Sequence, residues 1–201
     1  MNWLAHLYLA EPSAAFRIGS LLPDMAPASA LAGLPPEFQR GIQQHRHIDA
    51  FTDSHPIVRN SIRRLDPPFR RFGGILVDVF YDHILAREWA SWSPVPLCVF
   101  AAEVYSSFEQ QREHLPPDVH TRLNLMKAGD LLSSYRTSGG VAAALDRISS
   151  RLSRPVPLAT TVGFLEKNYD ALHADFRTFF PELRAHVTQD FTTTTRRPNN
   201  Q

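Results

Sequence analysis

The run Ile75-Leu76-Val77-Asp78-Val79-Phe80-Tyr81-Asp82-His83-Ile84-Leu85 decides how this 201-residue chain is read. It is apolar almost all round, which marks a helix buried on every side. Yet it carries two aspartates four residues apart, and residues i and i+4 share a helix face. Two buried carboxylates so placed repel each other and lose their hydration. Something must offset that cost: a metal ion, a bound cationic group, or paired arginines such as Arg87 and Arg136. His83 is turned about 100° round the axis from Asp82. Without a metal, replacing Asp78 or Asp82 by Ala is expected to relieve repulsion and raise stability.

The rest of the chain repeats the helical pattern. Alternating strand-like segments joined by Asn-Gly or Asp-Gly turns are missing. Most of the 16 prolines fall at joints, as in Leu34-Pro35-Pro36, Asp66-Pro67-Pro68, Ser93-Pro94-Val95-Pro96 and Leu115-Pro116-Pro117. Proline breaks helices and suits their first turn, so it divides the chain into about seven to nine helices. These are expected near 2–9, 14–24, 36–51, 56–65, 72–89, 96–113, 117–136, 138–151 and 156–180. The fold class is all-α, with one compact helical domain over 1–187 and a flexible C-terminal tail over 188–201.

Composition narrows the function. Hydrophobic residues at 43% and charged residues at 20% suit a globular domain with a sizeable core. A formal net charge of only +1 points to neither nucleic acid nor a membrane surface. No apolar run approaches the roughly 20 residues of a membrane span. The first basic residue is Arg17, so no positive region precedes the apolar start, and Cys98 is the single cysteine. Both features suit a cytoplasmic protein.

A second cluster, His45-Arg46-His47-Ile48-Asp49-Ala50-Phe51-Thr52-Asp53, again sets a histidine and a carboxylate, His45 and Asp49, one turn apart. That is a common ligand or supporting arrangement at a metal. Asp53 continues the column, or else caps the helix after Pro56. His47 lies off the column and reads as a surface residue. His6 stands in the apolar run Trp3-Leu4-Ala5-His6-Leu7-Tyr8-Leu9, either as a satisfied core residue or as a member of a site. Asp24 ends Gly19-Ser20-Leu21-Leu22-Pro23-Asp24 and by itself is an ordinary turn residue. An oxygen-rich donor set with imidazole suits manganese, magnesium or iron. The chain has no cysteine cluster, no His-Glu-x-x-His, no Glu-x-x-His and no glycine-rich phosphate loop.

Taken together these stretches resemble the acyl-carrier-protein phosphodiesterases. The resemblance is carried by Met1 to Leu9, Gly41 to Asp49, Phe51 to Arg59 and Val77 to Arg87. Weaker matches are Ser134-Tyr135-Arg136 and Asp175 to Pro181. The chain departs at Ser20 and Pro23, where that family has Asn and Ala. The resemblance implies a helical fold distantly similar to the HD-domain phosphohydrolases. It also implies a divalent-metal-dependent phosphodiesterase, Mn²⁺ above all, that removes 4′-phosphopantetheine from holo-acyl-carrier protein. It maps site residues to Asp24, His45, Asp78 and Asp82 as metal ligands, with Asp49, His6 and His83 in catalytic roles. The metal is expected to activate a water and polarise a phosphoryl oxygen. His83 or His6 then protonates the departing serine. Arg46 is expected to neutralise phosphate charge. An acidic carrier protein calls for a basic docking face, and Arg59 to Phe72 holds five arginines, Arg59, Arg63 and Arg64 among them, against one aspartate. Leu65, Phe69 and Phe72 are candidate apolar anchors there. The alternative reading is an HD-like hydrolase of a small phosphorylated molecule or nucleotide.

Overall fold

The computed structural model describes residues 1–194. Among them there are 13 α-helices and no strand, so the all-α class holds. The helices are α1 (Trp3–Leu9), α2 (Ala14–Gly19), α3 (Ala28–Leu31), α4 (Pro36–Ser54), α5 (Pro56–Arg63), α6 (Gly73–Arg87) and α7 (Trp89–Trp92). There follow α8 (Leu97–Gln110), α9 (Pro117–Ala128), α10 (Leu131–Ser134), α11 (Ser138–Ser149), α12 (Val162–Lys167) and α13 (Tyr169–Thr194). The count exceeds the expected seven to nine because single-turn pieces such as α3, α7 and α10 are too short to show a helical period.

Two boundaries differ for reasons that can be named. The expected helix over 117–136 breaks at Gly129-Asp130, where Asp130 takes a left-handed conformation with φ 38°. Aspartate tolerates that region better than most residues. The Tyr105 hydroxyl holds the break by donating to Asp130 Oδ1 (3.1 Å) and accepting from the Leu132 N–H (2.9 Å). At the start of α5 the cap is His55, whose Nδ1 accepts from the Ile57 N–H (3.4 Å). Asp53, for which the cap was one of two expected roles, lies inside α4. At the other end α13 runs to Thr194, past residue 187 where the sequence pattern ends the domain. Residues 195–201 of the expected tail lie outside the described residues.

Helix α6 is the centre of the molecule. Every residue from Val79 to Ala86 is buried, and the helix packs against α1, α5, α11 and α13. Opposite it, α13 carries Phe176, Phe179 and Phe180, all fully buried. Tyr81 meets the first two, and Trp92 closes the aromatic layer edge-on to Phe180.

The α2–α4 pair positions the site. A Cβ on Gly41 would stand 2.8 Å from the Ser20 nitrogen and collide with the Phe16 carbonyl oxygen, and one on Gly19 would meet the Phe38 carbonyl. Only glycine lets the two backbones approach so closely. That approach brings the Ser20 carbonyl within 2.8 Å of His45 Nδ1. Gly41→Ala is therefore expected to destabilise the protein by about 1–3 kcal/mol through overpacking. Gly163→Ala, where a Cβ meets nothing within 4 Å, is expected to be neutral or mildly stabilising. Urea unfolding of both variants decides, and equal stabilities would contradict this account of the interface.

Candidate active site

Helix α1 is only seven residues long, so its register has to be imposed from outside. Its N-terminal amides are all satisfied. The Trp3 N–H donates to Asn2 Oδ1 (2.8 Å) and the His6 N–H to the Asn2 carbonyl (3.3 Å). Between them the Leu4 and Ala5 N–H groups donate to Asp82 Oδ2 (2.7 Å) and Oδ1 (3.2 Å). Both oxygens of the fully buried Asp82 are thus engaged by the end of α1. Burial raises the Asp82 carboxyl to about 7, against the pull of these two N–H groups and the Met1 amino group. The other half of the aspartate pair has a different partner. Asp78 Oδ1 lies 3.1 Å from the Met1 amino nitrogen, which also lies 3.5 Å from Asp49 Oδ1. Despite burial these carboxylates push the amino group up to about 10. The counterion of Asp78 is therefore a cationic group of the chain, and not Arg87, which stacks over Tyr169.

One turn along α1, His6 meets α4. Its ring stacks on His45 with centroids 4.0 Å apart and planes 12° apart. Asp49 joins the two, with Oδ1 3.2 Å from His6 Nε2 and Oδ2 2.9 Å from His45 Nε2. His6 Nε2 also sits 2.9 Å from the Met1 carbonyl. Both of its partners are acceptors, so Nε2 carries the proton, and the buried Nδ1 has no partner. Burial, reinforced by the nearby His45, lowers His6 to about 4. Burial also works against a charged His45, but Asp49 and the Ser20 carbonyl outweigh it and raise its pKa. The Asp49 carboxyl, despite burial, is held well below the usual range by the two histidines.

These three residues bring one ligand atom each within 4.8 Å of one another, the only such group of three or more among the described residues. The arrangement fits a divalent cation. His45 keeps its Nδ1 on a backbone carbonyl, which fixes the ring and leaves Nε2 to face the cluster, as metal-binding histidines do. His6 Nε2, whose proton a bound cation would displace, and the adjacent Asp49 carboxylate suit the same ion. Asp24 stands at the edge, with Oδ1 3.8 Å from His45 Nε2 and Oδ2 accepting from the Trp3 indole N–H (2.8 Å).

A cavity of about 270 Å³ opens here, lined by Asp24, Asp49 and Asp78 and by Trp3 and Arg151. The structure thus gathers His6, Asp24, His45, Asp49 and Asp78, and gives Asp82 to the cap beneath them. His83 does not line the cavity. It is 2% exposed with Nδ1 2.6 Å from the Tyr135 carbonyl, and burial lowers its pKa. Arg46 is exposed on α4, away from the lining. Arg64 pairs with Asp175 (3.2 Å), and Arg59 donates to the Asp53 carbonyl (3.3 Å). Arg63 is exposed, but Leu65 is 1% exposed and so belongs to the core, not to a docking face. Trp3 and Arg151 were missed by the sequence reading. Trp3 stands in the apolar run Trp3 to Leu9, but its role needs the loop of Asp24 beside it, and no periodicity marks Arg151.

Two outcomes follow. Asp82→Ala is expected to destabilise the metal-free protein, reversing the repulsion argument, by about 1–3 kcal/mol for each buried N–H left without an acceptor. For His6 the folded value of about 4 lies below the unfolded 6.5, so the unfolded chain binds the extra proton between them. The contribution of His6 to stability is therefore complete above 6.5 and shrinks as pH falls towards 4. Asp82 acts in the opposite sense but is common to both proteins when wild type is compared with His6→Gln. Urea unfolding with chelator at about pH 7.5 and about pH 5 is expected to show the variant gaining on wild type at the lower pH. A pH-independent difference would contradict the assignment.

The family model described as acyl carrier protein phosphodiesterase matches residues 1–183. Curated proteins named acyl carrier protein phosphodiesterase from Escherichia coli strains K12, SMS-3-5 and ED1a (serotype O81) are each 32% identical over 190 residues, covering 94% of this chain and 98% of theirs. No solved structure matches the chain. No helix among the described residues is long and apolar enough to cross a membrane. The chain belongs to the acyl carrier protein phosphodiesterase family.

Proposed function

We propose that this chain hydrolyses the phosphodiester between 4′-phosphopantetheine and the serine of holo-acyl-carrier protein, with a divalent metal held by His6, His45 and Asp49 and with Asp24 beside them. The observation that carries the reading is the His6–His45–Asp49 cluster, with both imidazoles buried and Asp49 part-exposed, beside a cavity large enough for part of an extended substrate arm, in a chain of this family. Water adds to phosphorus, the bond from phosphorus to the serine oxygen breaks, and that oxygen takes up a proton. The products are apo-carrier protein and 4′-phosphopantetheine. When bound, the metal supplies Lewis-acid polarisation of the phosphate and a more acidic water; Mn²⁺ suits the mixed nitrogen and oxygen donors, as do Mg²⁺ and Fe²⁺ to differing degrees.

The protein's own groups do the positioning. The Ser20 carbonyl orients His45, and Trp3 orients Asp24. His6, lowered to about 4, is neutral at physiological pH and so serves as a donor atom rather than as a proton source. The acidic partner is expected to meet the exposed arginines Arg59 and Arg63, Arg64 being held by Asp175. A cytoplasmic location goes with this reading and with the lone, exposed thiol of Cys98.

Mass spectrometry of holo-carrier protein incubated with the Mn²⁺-loaded enzyme is expected to show conversion to the apo form, abolished by chelator. His45→Ala is expected to lower turnover at least ~100-fold with helicity retained. His83→Asn is expected to change stability rather than turnover per folded molecule. An intact holo-carrier under full metal loading would sink the proposal. Charge reversal at Arg59 and Arg63 is expected to raise KM at low salt; an unchanged KM removes the docking face alone.

A further inference from the structure

The cavity is acidic where Asp24, Asp49 and Asp78 meet, but one wall is cationic. Arg151, two residues past the end of α11, lines it, and also lines a smaller hollow behind Trp3 that Arg147 shares. The Arg151 guanidinium stands over the Trp3 ring, 6.0 Å from its centroid. Arg122 reaches the same region from α9 and is anchored by donating to the Met25 carbonyl (3.1 Å). Neither Arg147 nor Arg151 forms an ion pair with a described residue. Partial burial, then the charges of Arg122 and Arg147, pushes Arg151 below the usual guanidinium value, and Asp24 is the acid that acts against them. Arg147 and Arg151 therefore carry donors that no described carboxylate takes. Guanidinium groups offer the paired donors that phosphate oxygens accept. Beside them Ile75, Val79, Ile148 and Leu152 give the same cavity an apolar lining.

We propose that Arg151, backed by Arg147 and Arg122, grips the non-bridging oxygens of the substrate's phosphodiester from the side opposite the His6–His45–Asp49 cluster, while the arm beyond the phosphate lies along Ile75, Val79, Ile148 and Leu152. The inference rests on the reaction proposed above and assigns the phosphate to arginines that lie far in sequence from Arg46, Arg59, Arg63 and Arg64. It also accounts for the placement of Trp3, whose face supports Arg151 while its indole N–H holds Asp24. One side chain thereby ties the cationic wall to the acidic cluster.

Isothermal titration of Mn²⁺-loaded wild type, Arg151→Ala and Arg147→Ala with 4′-phosphopantetheine, and separately with pantetheine, tests this. A parallel Mn²⁺ titration checks that each variant keeps its metal. The expected result is a loss of 4′-phosphopantetheine affinity of at least ~10-fold in Arg151→Ala and a smaller loss in Arg147→Ala. Pantetheine is expected to bind wild type more weakly and to be insensitive to both changes. Equal affinity of wild type and Arg151→Ala for 4′-phosphopantetheine, or no binding to wild type, overturns the proposal. So does a variant that loses turnover of holo-carrier protein while keeping its 4′-phosphopantetheine affinity, because the arginines then meet the carrier protein itself. If wild type binds 4′-phosphopantetheine through Arg151 yet leaves holo-carrier protein intact, the proposed reaction fails and the phosphate wall stands.

Discussion

The Asp82 carboxylate, buried on α6, accepts the Leu4 and Ala5 N–H groups and so fixes the start of α1. A seven-residue helix has little stability of its own, and its direction is set by what its ends are tied to. With the first turn held by Asp82 and Asn2, the next residue along, His6, is delivered to the face of His45. A loss at Asp82 therefore reaches the cluster through the backbone, without any contact between Asp82 and the cluster. That arrangement separates two jobs that i, i+4 spacing had merged. Asp78 faces the cavity, and Asp82, one turn on, organises the helix that brings His6 to His45.

A second constraint comes from glycine. Gly19 and Gly41 let α2 and α4 meet backbone to backbone, and the Ser20 carbonyl then orients His45. Three elements distant in sequence, α1, the α2 end and α4, thus converge on one carboxylate, Asp49. Its two oxygens are shared between two imidazoles, one neutral and one inclined to hold its proton. In the absence of a cation that cluster is an ion pair with an orphaned nitrogen beside it. In the function proposed above a divalent ion would take the same donors without rebuilding any helix, which is the physical reason to read the cluster as a site rather than as core polar packing.

The all-α class and most helix positions were legible because proline marks the joints, α6 is apolar almost all round, and an apolar period runs through α4 and α13. What was not legible is local. The break at Asp130 depends on a tyrosine 25 residues away. The cap at α5 comes from His55 because α4 runs one turn further than its pattern suggests. For the site, spacing did single out His45 with Asp49 and Asp78 with Asp82, and all four are at or beneath it. Their division of labour was not in the spacing. A buried carboxylate can be offset by backbone N–H groups as well as by a metal, and sequence does not say which helix end lies opposite. His83 owes its expected catalytic role to the resemblance alone, the helix geometry already setting it about 100° from Asp82. Adjacent to Asp82 in sequence, it turns a different face of α6 towards Tyr135. Arg151 escaped notice because a lone arginine after a helix end carries no periodic signal at all.

The acidic cluster and the arginine wall make the cavity bipolar, suited to a ligand that is anionic at one point and extended beyond it. Everything in that picture depends on where the cation sits. Anomalous diffraction at the manganese edge, from crystals grown with Mn²⁺, reads that position directly. The account predicts a peak among His6, His45 and Asp49, with Asp82 still bound to the α1 amides. A peak between Asp78 and Asp82, with His6 and His45 left unliganded, would contradict it.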